Sequence, residues 1–250
     1  MVGTGSRGAY HASTFGHLNA ELVLRVISTP LRSFIASDIA GRLKADFHLG
    51  LDDAEFSRVG EIYPSEESAR VEPVAPAAGR GALSAAEEAI AAKIRAGSFS
   101  GTLQDPGALF NSARWRRADF AGSCGHTNAR GLGEIVSVIS LGGVSRGCRL
   151  LSAETVDMIF HEQANGVDLF YLEPVRWGIG YALGSADGFA QGPLPFVRPS
   201  RRTCFWYGAG GSFAIMDAER RTTVAYVMNR CRPPAQSLSA SYYKAIYVCI

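Results

Sequence analysis

The 250-residue chain is 47% hydrophobic and 19% charged, a composition typical of a globular protein that forms one domain or two small ones. Its formal net charge of +2 comes from 25 basic and 23 acidic residues, and no basic stripe with interleaved aromatic residues is present. We therefore expect no nucleic-acid partner. Apolar runs such as residues 135–144 contain Ser and Gly and are too short to span a bilayer, so we expect no membrane partner either.

The cysteines indicate a reducing compartment. An odd number of cysteines without a Cys-x-x-Cys spacing favours reduced thiols over a disulfide framework or a zinc site. The five are Cys124, Cys148, Cys204, Cys231 and Cys249. The first residues have neither a charged n-region nor an apolar h-region, so no signal peptide is visible. We expect a cytoplasmic protein with no metal and no cofactor.

Helices dominate the first half of the chain. Apolar residues at spacings of three and four predict a largely buried helix over residues 13–28, and Pro30 suits the first turn of a second helix that reaches Leu43. Residues 64–83 are rich in Pro, Ala, Glu, Gly and Ser, which predicts an exposed, mobile insertion. A short helix over residues 84–95 follows.

Capping residues indicate two further helices in the second half. Thr127 is the expected cap of a helix that runs to about Leu141, and Ser152 is the expected cap of another. Strands are expected from Arg176 onward, before a closing helix over residues 237–250. Helices first and an antiparallel hairpin last predict an α+β fold. Both faces of the second hairpin strand are apolar, which predicts a sheet flanked by helices on both sides.

Residues 205–212 combine aromatic residues with glycines at positions 208, 210 and 211. Three glycines in four positions give up side-chain contacts, so another group is expected to approach this backbone closely. A substrate is one such group. A bulge or a tight strand crossing is the alternative.

Three short matches to catalytic motifs carry little weight. Residues 3–8 fit Gly-x-Gly-x-x-Gly, but no strand precedes them. Ser145 lies in Gly-x-Ser-x-Gly, but between two expected helices and without a strand leading into it. Ser241 and Lys244 form the chain's single Ser-x-x-Lys, a spacing that brings an amine over a hydroxyl on a helix. The aromatic pair between them favours packing on the sheet instead.

Seven segments in order resemble the serine β-lactamase-related family, and within it the class C β-lactamase-like enzymes, the family VIII esterases and the LACTB-type proteins. The segments are Gly-Ala-Tyr-His-Ala-Ser-Thr-Phe-Gly (8–16), Asp-Phe-His-Leu-Gly-Leu (46–51), Asn111-Ser112 with Trp115-Arg116, Gly125-His126 with Ala129-Arg130, Leu-Leu-Ser-Ala-Glu-Thr-Val (150–156), Gly-Ala-Gly-Gly-Ser (208–212) and Tyr-Val-Met-Asn-Arg (226–230). The resemblance implies a β-lactamase/transpeptidase-like fold with two lobes and a cleft. Residues 1–173 would form the helical lobe, and residues 174–250 the sheet lobe with the C-terminal helix.

The resemblance also implies roles for individual residues. Tyr10 matches the family's motif tyrosine, which moves a proton between nucleophile and leaving group. Ala12 stands where β-lactam-hydrolysing members carry Asn, which weakens an antibiotic substrate. Trp206, Tyr207 and Gly208 occupy the place of the Lys-Thr-Gly motif, in a form like the Trp-Gly-Gly of the esterases.

Beside this strand, the resemblance implies that Ala209 offers a backbone N–H to an oxyanion and that Gly210 lets an acyl group lie alongside. His11 and His126 flank expected loop or helix starts. Because neither belongs to a set of three metal ligands, we interpret both as structural or as supporting groups around the site.

The family's nucleophilic serine and its lysine stand in a Ser-x-x-Lys upstream of the tyrosine, but only nine residues precede Tyr10. The resemblance therefore implies that the nucleophile, its helix and the first strands are missing, and Ser241 with Lys244 is a weak substitute. One hypothesis is the C-terminal part of a serine hydrolase that acts on small-molecule esters or related acyl compounds once completed by the N-terminal part. The alternative is a non-catalytic pseudo-enzyme or degraded gene product that acts, if at all, by binding. Its sheet would have an open edge, which predicts poor solubility or pairing with another chain.

Overall fold

Helices come first along the chain and most strands come last. The computed structural model describes residues 7–12, 14–63, 83–99, 106–184, 200–208, 210–231 and 239–249. The helices are Thr14–Ile27 (α1), Leu31–Phe34 (α2), Ala85–Phe99 (α3), Pro106–Asn111 (α4), Ala113–Arg117 (α5), Ala129–Ser140 (α6), Ala153–Ile159 (α7) and Ser239–Cys249 (α8). A π-helical turn, Ile35–Gly41, continues α2, and Asp53–Arg58 is a 3-10 helix. The expected insertion lies outside the described residues except for Leu83.

The strands form one large antiparallel sheet and two small ones. They are Phe47–Leu49 (β1), Gly125–Thr127 (β2), Val144–Ser145 (β3), Cys148–Arg149 (β4), Ala164–Asp168 (β5), Glu173–Trp177 (β6), Ala182–Leu183 (β7), Thr203–Tyr207 (β8), Phe213–Asp217 (β9) and Thr222–Tyr226 (β10). The six-stranded sheet has the order β10-β9-β8-β7-β6-β5, while β1 pairs with β2 and β3 with β4. All pairings between named strands are antiparallel, which agrees with the expected α+β class.

The sheet begins earlier than the apolar pattern indicated. Strands were expected from Arg176, but β5 starts at Ala164. The first three residues of β5 are exposed, so they lack the apolar alternation by which a half-buried strand is recognised. The division into lobes at residue 173 stays a prediction.

Helices cover both faces of the sheet. On one face, buried side chains of β8, β9 and β10 pack against Tyr243 of α8, which is fully buried. On the other face, α6 and α7 pack against β7, β8 and β9. The buried residues of this second cluster are Val136, Ile139, Ile159, Leu183, Cys204 and Met216. Each fully buried side chain of this size stabilises the fold by about 1.5–3 kcal/mol, so both layers contribute to holding the sheet.

Of the two predicted helix caps, one is confirmed and one is wrong. Ser152 caps α7 as expected, because its side chain accepts the backbone N–H of Thr155. Thr127, the expected cap of α6, lies in β2, and its hydroxyl donates to the carbonyl oxygen of Asp46 at 2.7 Å. The cap of α6 is the next residue, Asn128, whose side chain accepts the N–H of Gly131.

The first helix is present, but the prediction that it is largely buried is wrong. Gly16 is its single buried residue, and a Cβ there would lie 2.4 Å from the backbone N of Gly122. The helix therefore contacts the backbone at Gly122 through its N-terminal turn, whereas Leu18 and Val26 further along are 66% and 72% exposed. Apolar spacing therefore identified the helix but not what lies against it.

Ser145 does not form a nucleophile elbow. It ends β3 in a small hairpin with β4, and the turn residues Arg146 and Gly147 have φ values of 51° and 75°. The Ser145 side chain is buried, and its hydroxyl lies 2.8 Å from that of Ser137. No strand-to-helix turn presents this serine to a substrate.

Candidate active site

Tyr10 lies in a cluster of aromatic side chains from β6, β8 and the turn between β5 and β6. The ring centroid of Tyr10 is 4.9 Å from that of Trp206, 5.3 Å from that of Tyr171 and 5.6 Å from that of Phe170. A fourth ring, of Trp177, is stacked at 6.1 Å with an interplanar angle of 5°. Such pairs stabilise by about 0.5–1.5 kcal/mol each beyond simple burial. We call these side chains and Tyr207 the aromatic cluster.

A hydrogen bond joins the predicted tyrosine to the predicted strand. The indole Nε1 of Trp206 donates to the phenolic oxygen of Tyr10 at 3.2 Å, across 196 residues of sequence. Burial raises the pKa of the Tyr10 phenol, the Trp206 indole opposes this rise, and the Asp168 carboxylate adds to it. At neutral pH the phenol is therefore protonated. Because its oxygen already accepts one N–H, its own proton is available for donation.

The glycine-rich segment consists of a strand, a turn and a second strand. Trp206 and Tyr207 end β8, with their rings stacked at 5.2 Å. The N–H of Gly208 then donates to the carbonyl oxygen of Ser212 at 2.7 Å, and the N–H of Gly211 donates back to that of Gly208 at 3.0 Å. Gly211 has φ +107°, a conformation that favours glycine. Since the Gly208 N–H is already used, this residue closes the turn and does not offer an oxyanion donor.

Protein side chains approach the next glycine. A Cβ on Gly210 would lie 2.1 Å from Cε of Met228 and 3.0 Å from Sγ of Cys231. The sequence predicted that another group closely approaches the glycine backbone. At Gly210 that group consists of side chains from residues that follow β10. Ala209, the expected oxyanion donor, lies outside the described residues. Its role stays a prediction.

The two histidines contact other parts of the chain. His11 is exposed, and its Nδ1 lies 2.9 Å from the hydroxyl of Thr14 at the start of α1. His126 is half-buried in β2, opposite His48, and its Nδ1 lies 3.0 Å from the carbonyl oxygen of Cys124. Burial lowers the pKa of His126. A supporting role for either histidine at Tyr10 stays a prediction.

Ser241 and Lys244 lie on α8, and both side chains are exposed. Of the aromatic pair between them, Tyr243 is fully buried against the sheet and Tyr242 is 46% exposed. The helix therefore directs Tyr243 toward the core, as the packing interpretation expected, and leaves the Ser-x-x-Lys pair facing solvent.

Sequence reasoning missed Asp168, which ends β5 beneath the aromatic cluster. Its Oδ1 accepts the N–H groups of Phe170 and Tyr171 at 2.8 and 3.1 Å. Burial raises the pKa of this carboxyl group, and the neighbouring N–H groups partly offset the rise. An Asp side chain commonly closes a turn by accepting a backbone N–H two residues later, so Asp168 itself was the signal that could have indicated a turn at this point.

No group of three or more His, Cys, Asp or Glu side chains suited to a metal ion occurs within the described ranges. All five cysteines are free. Among the helices of the described segments, none combines the length and hydropathy needed to cross a membrane.

The sequence model of the family described as Beta-lactamase matches residues 3–248 of the chain. The chain belongs to this family. Its relatives in the Beta-lactamase family include the esterase/beta-lactamase LipL of Mycobacterium tuberculosis, 28% identical over 248 residues that make up 96% of this chain and 52% of LipL. A penicillin-binding protein homolog from Caulobacter crescentus superposes with a TM-score of 0.71 at 25% identity, covering 96% of this chain and 59% of that one. A family VIII carboxylesterase gives a TM-score of 0.70 at 25% identity, with the same coverage of 96% and 59%.

These comparisons establish a β-lactamase/transpeptidase-like fold and a β-lactamase-like serine hydrolase family with esterase relatives. The chain spans about half the length of LipL and about three fifths of each of the two solved chains.

Proposed function

We propose that this chain carries the tyrosine and the β8 strand of an acyl-enzyme site that hydrolyses small-molecule esters or related acyl compounds. The observation that supports the proposal is the hydrogen bond from Trp206 to Tyr10, because it joins two side chains to which the family resemblance assigns roles in one site. The esterase names among the relatives support an ester substrate.

Tyr10 acts in its neutral form in this proposal. Its oxygen is held by the Trp206 indole, so its proton is directed away from that bond and can pass to a leaving group. General acid catalysis of this kind contributes about 10²–10⁴-fold to a rate. The backbone N–H of Ala209 is the proposed oxyanion donor, because it follows Gly208 at the end of β8.

The residues around Tyr10 favour a neutral acyl group. The strand motif contains Trp206, Tyr207 and Gly208, so the lysine that would bind a substrate carboxylate is absent from this motif. The buried Asp168 adds negative charge beneath the same rings. An apolar ester without a carboxylate therefore fits this chemistry better than an anionic substrate.

The serine and its lysine base are proposed to come from polypeptide outside this sequence. The single Ser-x-x-Lys of the 250 residues, at Ser241 and Lys244, faces solvent on α8. LipL has nearly twice the length that this chain spans. We infer that the 250 residues alone do not form an acyl-enzyme, and that a non-catalytic product is the alternative if no such segment is encoded.

The free cysteines favour a reducing compartment such as the cytoplasm.

Two measurements test the proposal. The DNA upstream of Met1 is read for an in-frame Ser-x-x-Lys, and p-nitrophenyl acetate hydrolysis is measured for the 250-residue chain and for the extended chain. We expect turnover for the extended chain alone, with kcat reduced about 10²–10⁴-fold by Tyr10→Phe. Tyr242→Phe, which removes an exposed phenol, is the matched control and should leave kcat unchanged.

An upstream stop codon would reject the interpretation that this chain is the C-terminal part of a serine hydrolase and would favour the non-catalytic product. Clear turnover by the 250 residues that is lost in Tyr10→Phe would show that this chain contains its own nucleophile.

A further inference from the structure

The strand β10 lies at one edge of the six-stranded sheet. It pairs with β9 on one side, and its backbone makes no hydrogen bond to any other described element. Every second residue of an antiparallel edge strand directs its N–H and C=O groups away from its partner. The chain just after β10 differs, because Tyr63 donates to the carbonyl oxygen of Asn229 at 2.7 Å and accepts the N–H of Cys231 at 2.9 Å. Within this part of the chain, the open edge therefore consists of Thr222–Tyr226.

Helices cover both faces of this edge strand. On one face, the hydroxyl of Thr223 lies 2.6 Å from that of Ser140 in α6, and α6 and β10 together line an open groove of about 500 Å³. On the other face, the ring of Tyr226 lies 5.5 Å from that of Tyr242 in α8, which is 46% exposed. A further strand beside β10 would therefore gain side-chain contacts as well as backbone hydrogen bonds.

The β10 edge lacks the features that usually prevent strand addition. Thr222–Tyr226 contains no charged residue and no proline, and it pairs with β9 residue by residue without a bulge. Natural edge strands are commonly protected by lysine, proline or a bulge. Threonine, valine and tyrosine also favour extended structure. The edge is therefore suited to pairing with another strand.

A second copy of the chain supplies a strand that matches this edge. With a two-fold axis at Val224, Thr222 would face Tyr226 of the second copy, a favoured pairing of β-branched and aromatic side chains. On the face toward α6, Thr223 would face Ala225 of the second copy, and both side chains are small and neutral. No like charges meet within the paired residues.

The opposite edge of the sheet, β5, is a poorer partner for β10. The first three residues of β5 are exposed, and one of them, Gly166, has φ +148°. Glycine inside a strand weakens pairing. A contact between β10 and β5 would also continue from copy to copy, whereas a contact between two β10 strands closes after two copies.

We propose that Thr222–Tyr226 is a docking edge at which two copies of the chain pair antiparallel and join their six-stranded sheets across a two-fold axis at Val224. The second copy is the occupant because its own edge has the same length, the same neutral side chains and a self-complementary register. A strand of the proposed upstream polypeptide is the competing occupant. The inference does not depend on the roles proposed for Tyr10 and Trp206.

Sedimentation equilibrium of the 250-residue chain tests the pairing. We expect a reversible monomer–dimer equilibrium over a range of chain concentrations. Ala225→Lys places a charge beside Thr223 of the second copy, and the symmetry introduces it twice, so the dimer dissociation constant should rise about tenfold. Ala164→Lys is the matched control, because it makes the same substitution at an exposed residue of the β5 edge and should leave the constant unchanged.

Hydrogen exchange provides a second measurement that needs no variant. The amides of β10 should exchange more slowly as the chain concentration rises, while those of the central strand β8 should not change. The mass of a single chain at every concentration would overturn the proposal and leave an upstream strand as the occupant. A dimer that Ala225→Lys does not weaken, growth beyond the dimer, or β10 exchange that is independent of concentration would also overturn it. None of these readouts uses turnover, so a chain without esterase activity would count against the proposed function alone.

Discussion

Two glycines of α6 should respond in opposite directions to alanine. A Cβ on Gly131 would lie 2.5 Å from the carbonyl oxygen of Asp46 and 2.7 Å from the hydroxyl of Thr127. A Cβ on Gly133 would have Ala225 Cβ as its nearest neighbour, at an ordinary contact distance of 3.7 Å. The two sites are two residues apart in one helix, so they differ mainly in the space available.

The magnitudes follow from this difference. Alanine in a helix is favoured over glycine by about 0.5–1 kcal/mol, so Gly133→Ala should raise the free energy of unfolding by that amount. Gly131→Ala has the same intrinsic gain, but forcing a methyl group against a backbone oxygen costs about 1–3 kcal/mol. The helix propensities nearly cancel between the variants, which leaves an expected difference of about 1–3 kcal/mol in favour of Gly133→Ala.

Urea unfolding followed by far-UV circular dichroism measures both free energies on the same chain. At about 2–4 °C per kcal/mol for a protein of this length, the melting temperatures should differ by roughly 2–12 °C. A Gly131→Ala chain as stable as Gly133→Ala would refute the close packing of α6 on the chain before β1.

Three further predictions concern other parts of the fold. The ion pair with Arg7 holds the pKa of the Glu87 carboxyl at about 2, so Glu87→Gln should lower the melting temperature at pH 7, and the deficit should shrink as the pH falls from about 4.5 toward 2. A deficit independent of pH would contradict this. Burial raises the pKa of the Cys124 thiol to about 11, so a thiol reagent at pH 8 should label the exposed Cys249 and reach Cys124 only after unfolding. Equal labelling rates in the native chain would show that the core around Cys124 opens. Ser152→Ala should destabilise the chain by about 1 kcal/mol through loss of the α7 cap, and Ser152→Asp should restore most of it.

The sequence predicted elements better than their surroundings. The helix α1 was identified from its apolar spacing, yet its exposed Leu18 and Val26 show that periodicity defines a face and not its partner. The hairpin of β9 and β10 was predicted from alternation and a short turn. The strand β5 was missed because its first half is exposed and polar.

The candidate site was predicted in part, and by resemblance more than by pattern. Tyr10 and Trp206 are 196 residues apart, and no local signal indicates that their side chains meet. The family resemblance implies a shared site for both; the hydrogen bond shows that the two side chains meet, and their roles stay predictions. Asp168 was missed because a buried carboxyl group is recognised by what surrounds it, which the linear pattern does not contain.

The aromatic cluster also gives this site a spectroscopic signal. Trp177 and Trp206 are two of the chain's three tryptophans, and their ring centroids are 4.8 Å apart, close enough for their electronic transitions to couple. The near-UV circular dichroism of the chain should therefore be dominated by the ring arrangement around Tyr10, while the far-UV signal reports the backbone. Loss of the near-UV band with the far-UV signal retained would indicate that these rings have lost their fixed packing while the secondary structure persists, without any substrate being needed.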